Sequence, residues 1–175
     1  MYRMLFFSVA LVGGAFMLAP ANAQFKPFAL PEFTEQDPKS WINSDPVDKS
    51  DLKGSVTIVD VWTFGCWNCY RSFPWLNSLT HTFKDLKVIG IHSPEFDFEK
   101  DKNNVIKKVK EFKLNHPVMM DNDFRYWKKL NNKYWPSFYL VDKKGVVRYL
   151  FIGEVHGDTK KSQKIEQAIR GLLSE

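Results

Sequence analysis

Apolar positions along the chain fall into blocks whose spacing predicts alternating strands and helices. Val56–Trp62 (VTIVDVW) is β-branched and apolar nearly throughout, the pattern of a strand covered on both faces. It runs through Thr63, Phe64 and Gly65 into Cys66-Trp67-Asn68-Cys69. Phe73, Leu76, Leu79 and Phe83 then recur at spacings of three and four, which predicts a helix, and Pro74 inside it predicts a kink. Residues 86–91 (LKVIGI) read as a second buried strand. Residues 99–113 predict an amphipathic helix, with Val105, Val109 and Phe112 on one stripe and lysines opposite. Residues 116–120 read as a short extended piece, after which Asp121 and Asn122 can cap a helix running to about Asn131.

Two further apolar runs, Ser137–Val141 and Val146–Ile152, are joined by Asp142-Lys143-Lys144-Gly145. That is a hairpin signal, with a loop longer than the tight Asp-Gly type. Ile165, Ala168 or Ile169, and Leu172 mark a C-terminal helix. The order β-α-β-α-β-α-β-β-α predicts an α/β fold: a parallel core sheet extended by an antiparallel hairpin, with helices on its faces.

The beginning of the chain has a different character. Arg3 precedes about fifteen apolar or small residues over 5–19, short against the roughly 20 that span a bilayer. Ala21-Asn22-Ala23 gives a small-x-small cleavage pattern, so residues 1–23 are expected to be an export signal and Gln24 the mature start. An uncleaved anchor is the other reading, and it is the only one that leaves membrane contact. Either way the remainder is expected in the periplasm. Residues 24–39 carry Pro27, Pro31 and Pro38 and read as an extended arm, leaving 40–175 as the domain.

Length and charge narrow the picture further. A chain of 175 residues holds one domain of ordinary size. Its formal charge of +5 loses one unit with Arg3. The lysines are spread along the helix at 99–113 without a nucleic-acid motif, as on a solvated helix face, so no nucleic-acid partner is expected. Two cysteines are too few for a disulfide scaffold or for a four-ligand structural zinc site.

The placement of those two cysteines carries the chemistry. At a strand-to-helix junction the first sulfur meets free backbone N–H groups and the positive end of the helix dipole, which stabilise a thiolate. The second lies one turn further in, within reach of a mixed disulfide formed on the first. Cys66 is therefore expected to be the exposed nucleophile and Cys69 the buried resolving thiol. Tyr70, where haem attachment needs His, excludes that use of the motif. Asp60 interrupts the apolar strand six residues before Cys66. A buried carboxyl there is costly unless protonated or hydrogen-bonded, and is suited to shuttle the Cys69 proton; a structural hydrogen bond at a strand end is the alternative. Trp67, a large aromatic on the first turn, should help form an apolar docking surface, with Asn68 beside it.

VDVWTFGCWNC followed by Pro74 resembles the thioredoxin motif. Trp135-Pro136 before Ser137–Val141 resembles the cis-proline of that superfamily, and Gly153 the glycine closing the last strand beside its active site. The helix and strand between His92 and Trp135 resemble the insertion of the TlpA-like branch. Within that branch FGCWNC, IGIHSPEFDFEKD, YWPSFYLVD and FIGEVH are most similar to the DipZ-type domain. Trp67-Asn68 stands where thioredoxins have Gly-Pro, so their potential does not carry over.

The resemblance implies a thioredoxin fold with a TlpA-like helix–strand insertion before the cis-proline. It implies that Trp135, Pro136 and Gly153 contact substrate, the Trp135 backbone pairing with an extended strand. No cofactor or metal is implied beyond the redox-active Cys66–Cys69 pair. Partners would be protein disulfides or dithiols, with a separate membrane electron donor of the DipZ or CcdA kind. His92, which ends the second strand where a loop borders that site, and Glu154, expected to project near Cys66, are candidate modulators. His81, His116 and His156 lack ligand spacing. The expected activity is an exported thiol–disulfide oxidoreductase that reduces protein disulfides or relays electrons. A net oxidant or isomerase, or a copper-handling module using the Cys pair, are the alternatives.

Overall fold

A computed structural model describes residues 25–175; the expected signal over 1–23 lies outside them. Seven strands and four helices follow in chain order: β1 Phe28–Ala29, β2 Trp41–Ile42, β3 Val56–Trp62, α1 Trp67–Thr82, β4 Leu86–His92, α2 Lys102–Glu111, β5 Val118–Met120, α3 Arg125–Lys129, β6 Ser137–Val141, β7 Val146–Ile152 and α4 Lys160–Ser174. They form one sheet in the order β1-β7-β6-β3-β4-β5-β2. β3, β4 and β5 are parallel, and β6 and β7 extend the sheet antiparallel from β3. This is the predicted mixed sheet flanked by helices, with α2 and β5 inserted ahead of Pro136.

β3 is buried along its whole length, and strand alternation divides its side chains between two cores. Val56, Ile58 and Trp62 join Cys69, Phe73, Leu76 and Leu79 of α1, Val105 and Val109 of α2, and Ile165 and Ile169 of α4. Val59 and Val61 face the other way, onto Leu30, Phe33, Trp41, Leu52 and Tyr126. Helices α1, α2 and α4 therefore cover one face of the sheet. The second face is covered largely by the chain before β3, with α3.

That covering is the main departure from expectation. The segment read as an extended arm is extended, but it is a strap. β1 pairs with β7 at one edge of the sheet and β2 with β5 at the other. Between them Leu30 and Phe33 are buried; the Phe33 ring stacks on Tyr126 at 5.2 Å and meets Trp41 edge-on at 5.7 Å. The outermost strand at each edge of the sheet is thus a two-residue strand of one segment, β1 covering Val146 and Val147 of β7.

Helix boundaries also shift. α2 begins at Lys102, capped by the Asp101 carboxylate on Asn103 N–H, because residues 97–100 form a separate 3-10 turn. α3 is shorter than expected: Phe124 takes a left-handed conformation before it, and the helix ends at Lys129. Phe124 holds the cap position without a side-chain bond; Asp121 reaches the helix start from three residues earlier, accepting from Tyr126 and Trp127 N–H at 2.9 Å and from Ser93 Oγ, while Asn122 donates to the Lys100 carbonyl. Among the described residues no helix is long and apolar enough to cross a membrane.

Candidate active site

The last residues of β3 deliver the chain into the turn of Thr63, Phe64 and Gly65, and Cys66 caps α1. Cys66 and Cys69 are joined as a disulfide, with Cα atoms 5.3 Å apart. Cys66 Sγ accepts the Cys69 N–H at 3.1 Å, so the first sulfur occupies the anion-stabilising position at the helix start. Cys66 is half-buried and Cys69 fully buried. Trp67 and Asn68 between them are exposed, and the Trp67 ring stacks on Tyr70 at 5.3 Å.

Pro74 lies within α1 on its exposed side. Having no N–H, it leaves the Tyr70 carbonyl without its intrahelical donor one turn after the cysteines. Ser72 holds the same turn from the other side. Its hydroxyl donates to the Asn68 carbonyl at 2.7 Å and accepts from Val155 N–H at 3.0 Å, tying α1 to the loop after β7.

Asp60 sits on the face of β3 that Ile58 and Trp62 share with Cys69. It is fully buried, and neither carboxylate oxygen has a hydrogen-bond partner among the described residues. Burial pushes its pKa well above the usual carboxylate range. The structural hydrogen bond that was the alternative for this residue has no partner among the described residues.

The bond before Pro136 is cis. The Pro136 carbonyl accepts from Gly153 N–H at 2.8 Å, and Gly153 has φ +82°, a left-handed backbone that favours glycine. These two residues of the sequence-based site are therefore bonded to each other. Trp135 packs its ring on Trp127, 4.4 Å between centroids, and its Nε1–H donates to the Ser93 carbonyl at 3.0 Å.

Both candidate modulators are held by their neighbours. His92 is the last residue of β4, the strand end at which it was expected, and it is buried rather than exposed. It lies edge-on to Trp62 and stacked on Phe64 at 5.7 Å, with Thr63 Oγ1 3.4 Å from Nε2. Burial holds its imidazole down to about 4, against the opposing charge of Glu99, so it is neutral near pH 7. The Glu154 carboxylate is paired with Arg71 Nε at 3.0 Å and contacts His156 Nε2, and the guanidinium offsets the charge expected to act on Cys66. Among the described residues no group of three His, Cys, Asp or Glu side chains could hold a metal ion. A cavity of about 740 Å³ lies beside residues 86–89 of β4, lined by Leu86, Val88, His81 and His116, and neither cysteine reaches it.

One residue of this region gave no signal in the sequence. Glu99 is fully buried, yet it stands between Asp97 and Lys100, which are exposed and ion-paired. A run of alternating charges reads as surface, and only the contact across the fold singles Glu99 out.

Comparison with known proteins yields a consistent set. The model of the AhpC/TSA family matches residues 24–150. Protein DipZ of Mycobacterium bovis is 36% identical over 140 residues, which are 77% of this chain and 19% of DipZ. The chain thus spans about a fifth of the length of that relative. The thiol-disulfide oxidoreductase YkuV of Bacillus subtilis is 25% identical over 125 residues, 71% of this chain and 83% of YkuV. A crystal structure of a putative thiol:disulfide interchange protein DsbE from Chlorobium tepidum superposes with a TM-score of 0.65 at 25% identity, covering 85% of this chain and 94% of that one.

Proposed function

The chain belongs to the AhpC/TSA family and has a thioredoxin-like fold; from that premise we propose that it is a thiol–disulfide oxidoreductase, an exported reductant or electron relay for protein disulfides. The observation that carries the reading is the half-buried Cys66 at the start of α1, bonded to a buried Cys69 in the core that Asp60 faces.

In this mechanism the Cys66 thiolate attacks one sulfur of a substrate disulfide, and the other substrate sulfur leaves as a thiolate. Cys69 gives its proton to the Asp60 carboxylate and attacks Cys66, releasing the second substrate thiolate and forming the Cys66–Cys69 disulfide. Two electrons pass from this chain to the substrate. A donor dithiol then reverses the sequence: it attacks Cys66, and protonated Asp60 returns its proton to the departing Cys69 sulfur. A raised pKa suits both halves, because the more basic carboxylate takes the thiol proton more readily and the carboxyl keeps it until the sulfur departs. Trp67, Asn68, Trp135, Pro136 and Gly153 would present the substrate chain to Cys66. His92, neutral and enclosed, would pack behind the turn rather than titrate.

The export reading rests on the sequence of residues 1–23 and places the chemistry in the periplasm. A separate membrane dithiol donor, of the kind the DipZ likeness suggests, would keep the pair reduced there. Insulin reduction by dithiothreitol tests the function. The wild-type protein should accelerate it, and Cys66→Ser should fall to the uncatalysed rate. Acceleration by Cys66→Ser equal to the wild type would overturn the assignment.

A further inference from the structure

We propose that Glu99 is a positioning residue that latches the turn carrying Cys66 to the segment 95–99 and so aligns the nucleophile with its docking face. The proposal deepens the reading above and rests on it. The two oxygens of this buried carboxylate serve two pieces of chain. Oε1 accepts the Gly65 N–H at 2.6 Å, immediately before Cys66. Oε2 accepts Glu95 N–H at 2.6 Å and Phe96 N–H at 2.8 Å, closing its own 3-10 turn.

Local capping accounts for Oε2 alone. The bond to Gly65 spans 34 residues of sequence and is the short contact of that turn; the turn's own bond, Cys66 N–H to the Thr63 carbonyl, is long at 3.4 Å. Gly65 is exposed, and a Cβ there would stand 2.6 Å from Oε1. The absence of a side chain at 65 is thus what lets the carboxylate reach the backbone.

The far end of the latch bears aromatic surface. Phe96 and Phe98 are exposed and stack on each other at 5.6 Å, and Phe98 reaches Phe64 at 5.7 Å. Phe96 lies 3.7 Å from the position a Gly65 Cβ would take, so this pair stands beside the residue that precedes Cys66. Releasing Glu99 from Gly65 would let the sulfur and the Phe96–Phe98 surface move independently. A bulky protein disulfide needs both at once, whereas a small disulfide needs only the sulfur.

Glu99→Gln separates the two duties of the side chain. One amide oxygen can keep the Glu95 and Phe96 donors, leaving an NH₂ group against Gly65 N–H. Gly65→Ala evicts the carboxylate from the other side. The reduced proteins are reacted with insulin and, separately, with 5,5′-dithiobis(2-nitrobenzoate), with thermal unfolding recorded for each. Each substitution should slow the insulin reaction roughly tenfold, in keeping with the cost of a small misplacement of a reacting group. Each should change the small-disulfide rate by less than about threefold, and the double variant should be no slower than either single one, as for two halves of one contact. Equal slowing with both disulfides, unchanged insulin rates, or additive losses in the double variant would each overturn the proposal. Wild-type rates keep the two readings apart: a wild type inert to insulin defeats the proposed function, whereas an active wild type matched by its variants defeats the latch alone.

Discussion

Asp60 concentrates the residue-scale physics, because its burial is uncompensated by any hydrogen bond among the described residues. An unfolded aspartate loses its proton near 3.9, whereas the folded carboxyl holds it to a well higher pH. Between those values the native state binds one proton more than the unfolded state, so this group's contribution to stability falls as pH rises. The slope is about 1.4 kcal/mol per pH unit and ends above the folded value. His92 and His116, both held down to about 4 by burial, act in the opposite sense. Unfolded, they bind protons below about 6.5, so their contribution is lost as pH falls from there towards 4. Asp60→Asn isolates the first effect. Compared by urea unfolding across pH 5–8, it should gain on the wild type by up to about 1.4 kcal/mol per unit while its turnover falls. A stability difference independent of pH would mean that Asp60 ionises as an exposed carboxyl does, and would remove its role as the proton carrier.

At the scale of elements, β3, β4 and β6 were legible because burial on both faces leaves only one composition for them. β3 and β4 stand out as apolar runs, and β6 and β7 as two runs joined by a loop in which Gly145 takes φ +79°. The active-site turn was legible for the same reason, since two cysteines at a strand–helix junction admit few chemistries. The strap was not. Phe28, Leu30 and Phe33 follow no period of two or three and a half, and prolines interrupt them, so nothing local says that they bury. Nor could the end of an apolar strand reveal that His92 is enclosed by Trp62 and Phe64, which come from a different strand and turn. The strap's energetic part can be measured directly. Leu30→Ala removes a side chain that is 1% exposed and should cost about 2–5 kcal/mol in urea unfolding. A loss below about 0.5 kcal/mol, usual for a surface site, would show that the segment rides on the sheet without holding it.

Over the whole molecule, the redox chemistry and the stability of the fold are kept apart. The only two cysteines of the sequence are the reactive pair, so opening that disulfide leaves no structural bridge to exchange with it. Two cores, one on each face of a sheet bordered at both edges by the strap, hold the fold together, with no second disulfide among the described residues. The site lies at the end of the sheet where β3 meets α1. The carboxylate of Glu99 meets the turn there, and the bond from Gly153 N–H to the Pro136 carbonyl ties two further stretches of sequence to each other.

The account stands or falls on the order in which the two sulfurs act. Cys69→Ser and Cys66→Ser are each reduced, mixed with insulin, and analysed by intact mass spectrometry without reductant. Cys69→Ser should accumulate a mixed disulfide at Cys66 that dithiothreitol releases, because attack proceeds and resolution is blocked. Cys66→Ser should form no such adduct, its one thiol being buried. An adduct on Cys69 in the Cys66→Ser protein, or none in either, would contradict the assignment of Cys66 as the nucleophile.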